Sequence, residues 1–357
     1  MIDLSQSASA SPLLHSVPTD PGTIWVEDAD VVIEAPPDAE VDPQPDAQWP
    51  TQAERSGIYG IVTPRVVALP GNGYRMYYTQ IMPRPGFPEG ANDYCNSTTR
   101  ILSAISADGM TWTPEPGLRL SAADGGAGEC RREGSPPAAR VVCGDIVPVP
   151  GTAGKLRMYY ECCNGTQKVS NSLRSAVSGD GLEWTLEPGD RISDGRSNFA
   201  APRIIFLDDG RCRLYYCERS RGILSALSDD GLSFEAEPGM RIKGEAPGFH
   251  TIAFAPEIMK VDNAGYVMYF AGYNGTDQAG IFRAESEDGL VWEERSEPVI
   301  SPDDGKWGAA KCSEMCVIRL PCTPGEPQRY RIVYEACDGT ARDQRGVWRI
   351  AGSTSPA

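Results

Sequence analysis

The chain has 357 residues, of which 40% are hydrophobic and 23% charged, with a formal net charge of -16 at pH 7. That composition suits a large globular protein. The acidic balance, with no basic run against it, excludes nucleic acid and acidic membrane surfaces as partners, and no apolar run is long enough to span a bilayer.

Residues 1–20 read as a tail. MIDLSQSASASPLLHSVPTDPG, from Met1, lacks the basic and continuous apolar regions of an export signal. The 11 cysteines are odd in number and match no zinc spacing: Cys162 and Cys163 are adjacent, and Cys312, Cys316 and Cys322 form no C-x-x-C pair. They are expected to be free thiols in a reducing, cytoplasmic compartment. PGTIWVEDADVVI, from Pro21, reads as a strand, and PPDAEVDPQPDAQWP, from Pro36, as a connection. MPRPGFPEGANDYCNST, from Met82, and SAADGGAGECRREGSPP, from Ser121, are two further long Pro/Gly-rich connections of the kind that shapes binding sites.

From about residue 57 the chain repeats itself. SADGMTWTPEPGLRL (from Ser106), SGDGLEWTLEPGDRI (from Ser178), SDDGLSFEAEPGMRI (from Ser228) and SEDGLVWEERSEPVI (from Ser286) align at once. Each places Asp-Gly between two strand-like runs, a hairpin signal because both residues tolerate φ > 0. The aromatic that follows, Trp112, Trp184, Phe234 or Trp292, suits packing between neighbouring sheets. Upstream of each motif lies YRMYY, LRMYYE, CRLYYCE or YVMYF, with a fifth copy, YRIVYE, ending at Glu335. Upstream again lie TPRVVAL, CGDIVPV, APRIIFL, APEIMKV and SEMCVIRL.

The repeating unit is therefore a four-stranded antiparallel sheet of roughly 50–70 residues, used five times, as in a β-propeller. The blades run over about 57–120, 138–194, 198–243, 250–300 and 310–355. The fifth lacks its outer strand, and the segment 21–35 aligns with the missing piece on Trp25. The expected fold is all-β: one five-bladed propeller over 21–357, its ring closed by the N-terminal strand, which removes exposed edges. Glu161 and Glu335, at the ends of second strands, are expected to accept hydrogen bonds between blades.

The five blades, the split last blade and the S-x-D-G-x-x-W hairpins resemble the five-bladed propeller glycosidases of families 43, 32 and 68 and their relatives. That resemblance implies a funnel lined by the first strands, with three carboxylates at strand heads in the first three blades. Aligning TPRVV, CGDIV, APRII, APEIM and CSEMC puts Arg65, Asp145, Arg203, Glu257 and Glu314 at equivalent places. Asp145 matches the middle carboxylate of the resemblance. Arg65 and Arg203 stand where its other two acids belong, and APEIM looks like its acid motif moved by one blade.

Around a closed ring each arginine has a carboxylate on both sides, so a structural ion-pair belt is one reading. Glu257 and Glu314 would instead be like-charged neighbours, which raises one pKa and suits acid/base work. A cation bridging that pair stays open; no other cofactor is expected. The expected catalytic set is Glu257, Glu314 and Asp145, with His250 as a proton shuttle. Arg65 and Arg203 suit an anionic group on a ligand, and Tyr59, Asn198, Phe199, Phe254, Trp307 and Lys311 are expected to rim the funnel.

The expected function is a glycosidase-like enzyme acting on a small molecule. The alternatives are a non-hydrolytic cyclase, dehydratase or isomerase on the same frame, and a binding propeller without catalysis. The sequence sets neither the substrate nor the oligomeric state.

Overall fold

The computed structural model describes residues 18–34, 58–71, 73–83, 97–122, 140–163, 170–219, 221–246, 250–262, 265–274, 278–302, 306–323, 325–339 and 346–356. The three long connections read from the sequence fall almost wholly outside these residues.

The described residues form five antiparallel meanders, each with an inner, a middle and a third strand. Meander 1 uses Ile58–Leu69, Gly73–Pro83 and Ser97–Ser106, and meander 2 uses Arg140–Pro148, Leu156–Cys163 and Asn171–Ser178. Meander 3 uses Phe199–Phe206, Cys212–Glu218 and Gly222–Ser228, and meander 4 uses Ile252–Val261, Gly265–Asn274 and Gln278–Ser286. Meander 5 uses Lys311–Arg319, Tyr330–Cys337 and Gly346–Thr354. Meanders 1 to 4 each add a two-residue fourth strand. In meander 5 that strand is Val26–Glu27, paired antiparallel with Ser353 and Thr354. The middle strands are buried on both faces, which is why they read as nearly continuous runs of Tyr, Met, Val, Leu and Cys rather than as alternation. Each inner strand lies against that of the next meander, and the fifth lies against the first. The architecture is all-β and propeller-like. Among the described residues no helix is long and apolar enough to cross a membrane.

The Asp-Gly motifs are turns, and their aspartates are structural. Asp108 Oδ1 accepts the amides of Met110 at 2.8 Å and Thr111 at 2.9 Å, while Ser106 Oγ accepts the Gly109 amide at 2.8 Å. Asp180, Asp230 and Asp288 repeat the arrangement. These amide bonds hold the four carboxyls below the usual range.

Each turn is gripped by the preceding meander. Arg75 chelates Glu115 of its own meander through Nε at 2.7 Å and Nη2 at 3.0 Å, and its Nη1 donates to Asp180 O of meander 2 at 2.7 Å. The buried Tyr77 hydroxyl donates to Gly181 O at 2.9 Å, and the ring meets Trp184 edge-on at 5.7 Å. Arg157 and Tyr159 grip Asp230 and Gly231 in the same way, and Arg213 and Tyr215 grip Asp288 and Gly289. Gly181 has φ +74°, and a Cβ there would fall 2.4 Å from Arg75 Nη1, so the turn requires glycine.

The N-terminal segment takes the place of the missing turn. Tyr269 donates to Gly22 O at 2.6 Å and meets Trp25 edge-on at 5.8 Å. Arg283 pairs with Asp20. Arg331 pairs with Asp28 at 2.8 Å and donates to Gly109 O and Met110 O of meander 1 at 2.6 and 2.8 Å. The grips thus pass through all five meanders and return to the first.

Strand pairing also fixes which inner-strand residues are equivalent. Arg65, Asp145, Arg203 and Glu257 lie opposite Tyr77, Tyr159, Tyr215 and Tyr269. In the fifth meander the matching residue is Val333, and its partner is Cys316. The fifth member of the ring is therefore Cys316, and the expected place of Glu314 is corrected by two residues. The cause lies in the local sequence. Proline precedes Arg65, Arg203 and Glu257 and pins the register there, whereas Met315 precedes Cys316. Counting back from YRIVYE finds the shift.

The ring itself is a belt of paired charges. Arg65 pairs with both Asp145 and Glu257, and its Nη1 donates to Cys316 Sγ at 3.4 Å. Arg203 Nε pairs with Glu257 Oε2 at 3.2 Å, and its other nitrogens donate to Gly144 O, Pro202 O and Met315 O. Glu257 Oε1 accepts the Val317 amide at 3.1 Å. Asp145 accepts the amides of Ile146 at 2.8 Å and Ile204 at 2.7 Å. Such satisfaction is what makes buried charge tolerable, and loss of one partner is what makes it costly.

Two measurements test these grips. Asp28→Ala strands the buried Arg331 and is expected to cost about 3–5 kcal/mol in urea unfolding, whereas Asp209→Ala, in an exposed pair with Arg211, should leave the midpoint unchanged. Glu257→Ala strands two arginines and should cost at least about 3–5 kcal/mol by the same assay; a loss under about 1 kcal/mol would show that the belt does not hold the axis together.

Candidate functional site at the head of the inner strands

Two residues before the belt stands a second tier: Thr63, Cys143, Ala201, Ala255 and Glu314, matched by the same registers. Thr63, Ala201 and Ala255 have φ of 55°, 49° and 49°, a left-handed backbone that side-chain-bearing residues seldom adopt. Their amides point toward the preceding meander and are met there. Thr63 N donates to Glu335 Oε2 at 3.0 Å, Cys143 N to Thr79 Oγ1 at 2.9 Å, Ala201 N to Glu161 Oε1 at 2.8 Å and Ala255 N to Cys217 Sγ at 3.1 Å. Glu161 and Glu335 are thus inter-sheet acceptors. Before Glu314 the matching middle-strand residue is Ala271, which has no side-chain acceptor to offer.

Glu314 differs from its neighbours in a further way. It is only half-buried, whereas the four other residues of its tier are buried. Its carboxyl makes no hydrogen bond among the described residues. Burial, then the charges of Glu335 and Glu161, hold its pKa well above the usual carboxylate range, against the pull of Arg203 and Arg219. Burial also raises Glu335, to about 7, although Ser313, the Thr63 amide and Lys311 all favour its charged form. Glu161 is raised by burial against Arg219, the Ala201 amide and Arg140. Ser313 Oγ donates to Glu335 Oε1 at 2.6 Å, and the Tyr273 hydroxyl donates to Ser313 Oγ at 3.2 Å. Burial, then Glu335 and Glu314, push the Tyr273 phenol up, so it stays a neutral donor.

The expected site residues divide among several places. Glu314, Asn198, Phe254 and Lys311 all lie at or beside the heads of the inner strands. The Arg219 guanidinium lies 4.8 Å from the Phe254 ring centre, and its Nε donates to Asn198 Oδ1 at 3.3 Å. Phe254 meets Tyr273 edge-on at 6.5 Å. Lys311 lies 5.8 Å over the Trp348 ring and acts on Glu335. Arg65, Asp145, Arg203 and Glu257 lie below, engaged in the belt. Glu257 and Glu314 are therefore not a side-by-side pair, and a cation has no such pair to bridge. Among the described residues no group of three or more His, Cys, Asp or Glu side chains is arranged to hold a metal ion.

His250 does not reach these acids. Its ring packs edge-on against Phe270 and Phe282, and Nε2 lies 2.9 Å from Glu294 of the outer strand. Phe199 faces the core and meets Tyr216 at 5.6 Å, because alternation along its strand turns it between the sheets. Trp307 sits by the N-terminal strand, its amide 3.4 Å from Glu27 Oε1. Tyr59 lies on the first inner strand, and its side chain is outside the described residues.

Ser313, Arg219 and Tyr273 are site residues that the sequence reading does not single out. The signal for two of them is period-2 alternation. Tyr215, Cys217 and Arg219 share one face of their strand, as do Tyr269, Ala271 and Tyr273, so each face leads from the belt to the strand heads.

No family model matches the chain, and no curated protein matches it. Solved structures do resemble it. The chain aligns with a glycoside hydrolase at 17% identity and TM-score 0.64, covering 93% of each chain. It aligns with an N-acetylgalactosamine deacetylase from F. plautii, solved with blood group B trisaccharide, at 17% identity and TM-score 0.60, over 92% of this chain and 95% of the other. It also aligns with a thermostable family-43 glycoside hydrolase at 17% identity and TM-score 0.57, over 84% of this chain and 91% of the other. At such identities the likeness establishes a shared fold.

Proposed function

We propose that the five meanders close into a five-bladed propeller whose passage opens at Glu314, and that the chain is a carbohydrate-active enzyme using Glu314 as a general acid. The observation that carries this is Glu314 itself: a half-buried residue whose carboxyl is unbonded among the described residues and whose pKa is held well above the usual carboxylate range by burial and then by Glu335 and Glu161. A carboxylic acid held protonated near neutrality can donate to a leaving oxygen. The substrate class is supported by the glycosidase-like fold neighbours. The nine cysteines among the described residues carry free thiols, which supports a reducing, cytoplasmic setting.

A second reading keeps the acid and drops the hydrolysis. Hydrolysis wants a second carboxylate to act as nucleophile or to activate water. Glu161 and Glu335 are instead bonded to backbone amides of the next meander. That favours a proton-transfer reaction such as dehydration or isomerisation. Product mass separates the two, since hydrolysis adds one water and isomerisation adds none.

Glu314→Gln is expected to lower turnover at least a hundredfold on whichever member of a glycoside panel the protein accepts, with an unfolding midpoint at neutral pH no lower than that of the native chain, because the raised carboxyl costs stability there. Full activity in that variant would remove Glu314 from the chemistry. Stability should also depend on pH through Glu335. Its folded pKa, about 7, lies above the ordinary 4.5 of the unfolded chain. Its stabilising contribution is therefore complete below about 4.5 and is lost as pH rises through about 7. Melting temperature should fall between pH 5 and pH 8, roughly, and Glu335→Gln should flatten that fall relative to the native chain.

A further inference from the structure

The heads of the inner strands hold two chemically unequal acids, Glu314 on the fifth inner strand and Glu335 on the fifth middle strand. Every hydrogen bond to the Glu335 carboxyl comes from a donor: Ser313 Oγ at 2.6 Å on Oε1 and the Thr63 amide at 3.0 Å on Oε2. Ser313 is itself oriented by the Tyr273 hydroxyl at 3.2 Å. The series Tyr273–Ser313–Glu335–Thr63 ties meanders 4, 5 and 1 together and presents a carboxyl built to carry negative charge. Glu314, one residue from Ser313, has no such donor among the described residues.

We propose that Glu335, fixed by Ser313 and the Thr63 amide, is a positioning residue that keeps the proton on Glu314. This rests on the reading of Glu314 as the acid and adds the device that holds it ready. The groups that bear on Glu314 are Glu335 and Glu161 on the acidic side and Arg203 and Arg219 on the basic side. Those that bear on Glu335 are Ser313, the Thr63 amide and Lys311, with Glu161 opposing. Because hydrogen-bond donors favour charge on Glu335, while Glu314 has none among the described residues and only the charges of Arg203 and Arg219 to favour it, the pair sheds its protons with Glu335 first. Ser313 works through Glu335: its loss weakens the charge there and so loosens the hold on the Glu314 proton.

The test needs no substrate. Infrared titration of the full chain follows the protonated carboxyl band with pH in the native protein and in Glu314→Gln, Glu335→Gln and Ser313→Ala. The expected result is a band that persists above neutrality, beyond the titration of Glu335 near 7, and whose last-titrating component is lost in Glu314→Gln and titrates about one pH unit lower or more in Glu335→Gln. Ser313→Ala should move it in the same direction by less, and Glu335→Asp should restore it in part. If Glu335→Gln leaves the Glu314 band in place, the positioning role is overturned while the acid stands. If the native chain shows no band above the ordinary carboxylate range, both fall. Where Glu335→Gln does not fold, Ser313→Ala decides alone, because it removes one donor and leaves the Thr63 bond.

Discussion

The structure depends on one contact repeated around the molecule: a middle-strand arginine and tyrosine holding the carbonyls of the next meander's Asp-Gly turn. Each part answers a physical need. The tyrosine is buried for its ring and must place its hydroxyl. The turn needs a left-handed glycine, and that conformation turns its carbonyl outward, where the hydroxyl waits. The arginine is chelated by a glutamate of its own sheet, so its last nitrogen reaches the turn already oriented. Where the repeat runs out of turns, Gly22, Trp25 and Asp28 supply the missing carbonyl, ring and carboxylate from the other end of the chain.

With the sheets held this way, their inner strands are packed against one another, and the charges between them must be settled. The belt settles them by pairing two arginines with two carboxylates and with main-chain groups, until Glu257 and Asp145 have every oxygen engaged. A carboxylate so engaged is poor at chemistry, because a proton taken up there must displace an arginine. The belt therefore works as a floor. Reactivity moves one tier up, to positions where the pairing stops.

Architecture is legible in the sequence because it is periodic. Four copies of S-x-D-G, five copies of the tyrosine-rich strand and the match on Trp25 each have several residues to fix them. The belt is legible for the four meanders in which the register can be followed, three of them pinned by a proline. It fails in the fifth, where Met315 replaces that proline and nothing local sets the count, so the sequence alone puts Glu314 two residues too deep. The arginines expected to meet a ligand are indeed charged and inward, but a sequence cannot show that one carboxylate, Glu257, reaches both of them. His250 and Phe199 mislead for a simpler reason: proximity along the chain to a strand head is not proximity in space, and alternation turns both side chains away.

The place where the repeat is least regular is also where the candidate chemistry lies. At the second tier four meanders have an amide met by a side chain of the preceding sheet: Glu335, Thr79, Glu161 or Cys217. The fifth has Ala271 in that role and Glu314 above it. Alanine withdraws the acceptor, and glutamate brings an acid to the tier, within the electrostatic reach of two other carboxyls that are bonded to amides of the next meander. Packing gains nothing from that exchange, since it gives up a side-chain acceptor and adds an unbonded carboxyl in a poorly solvated place. A chain that keeps every other copy of the rule and breaks it at one position, with an ionisable group, has a site there for which stability alone gives no reason.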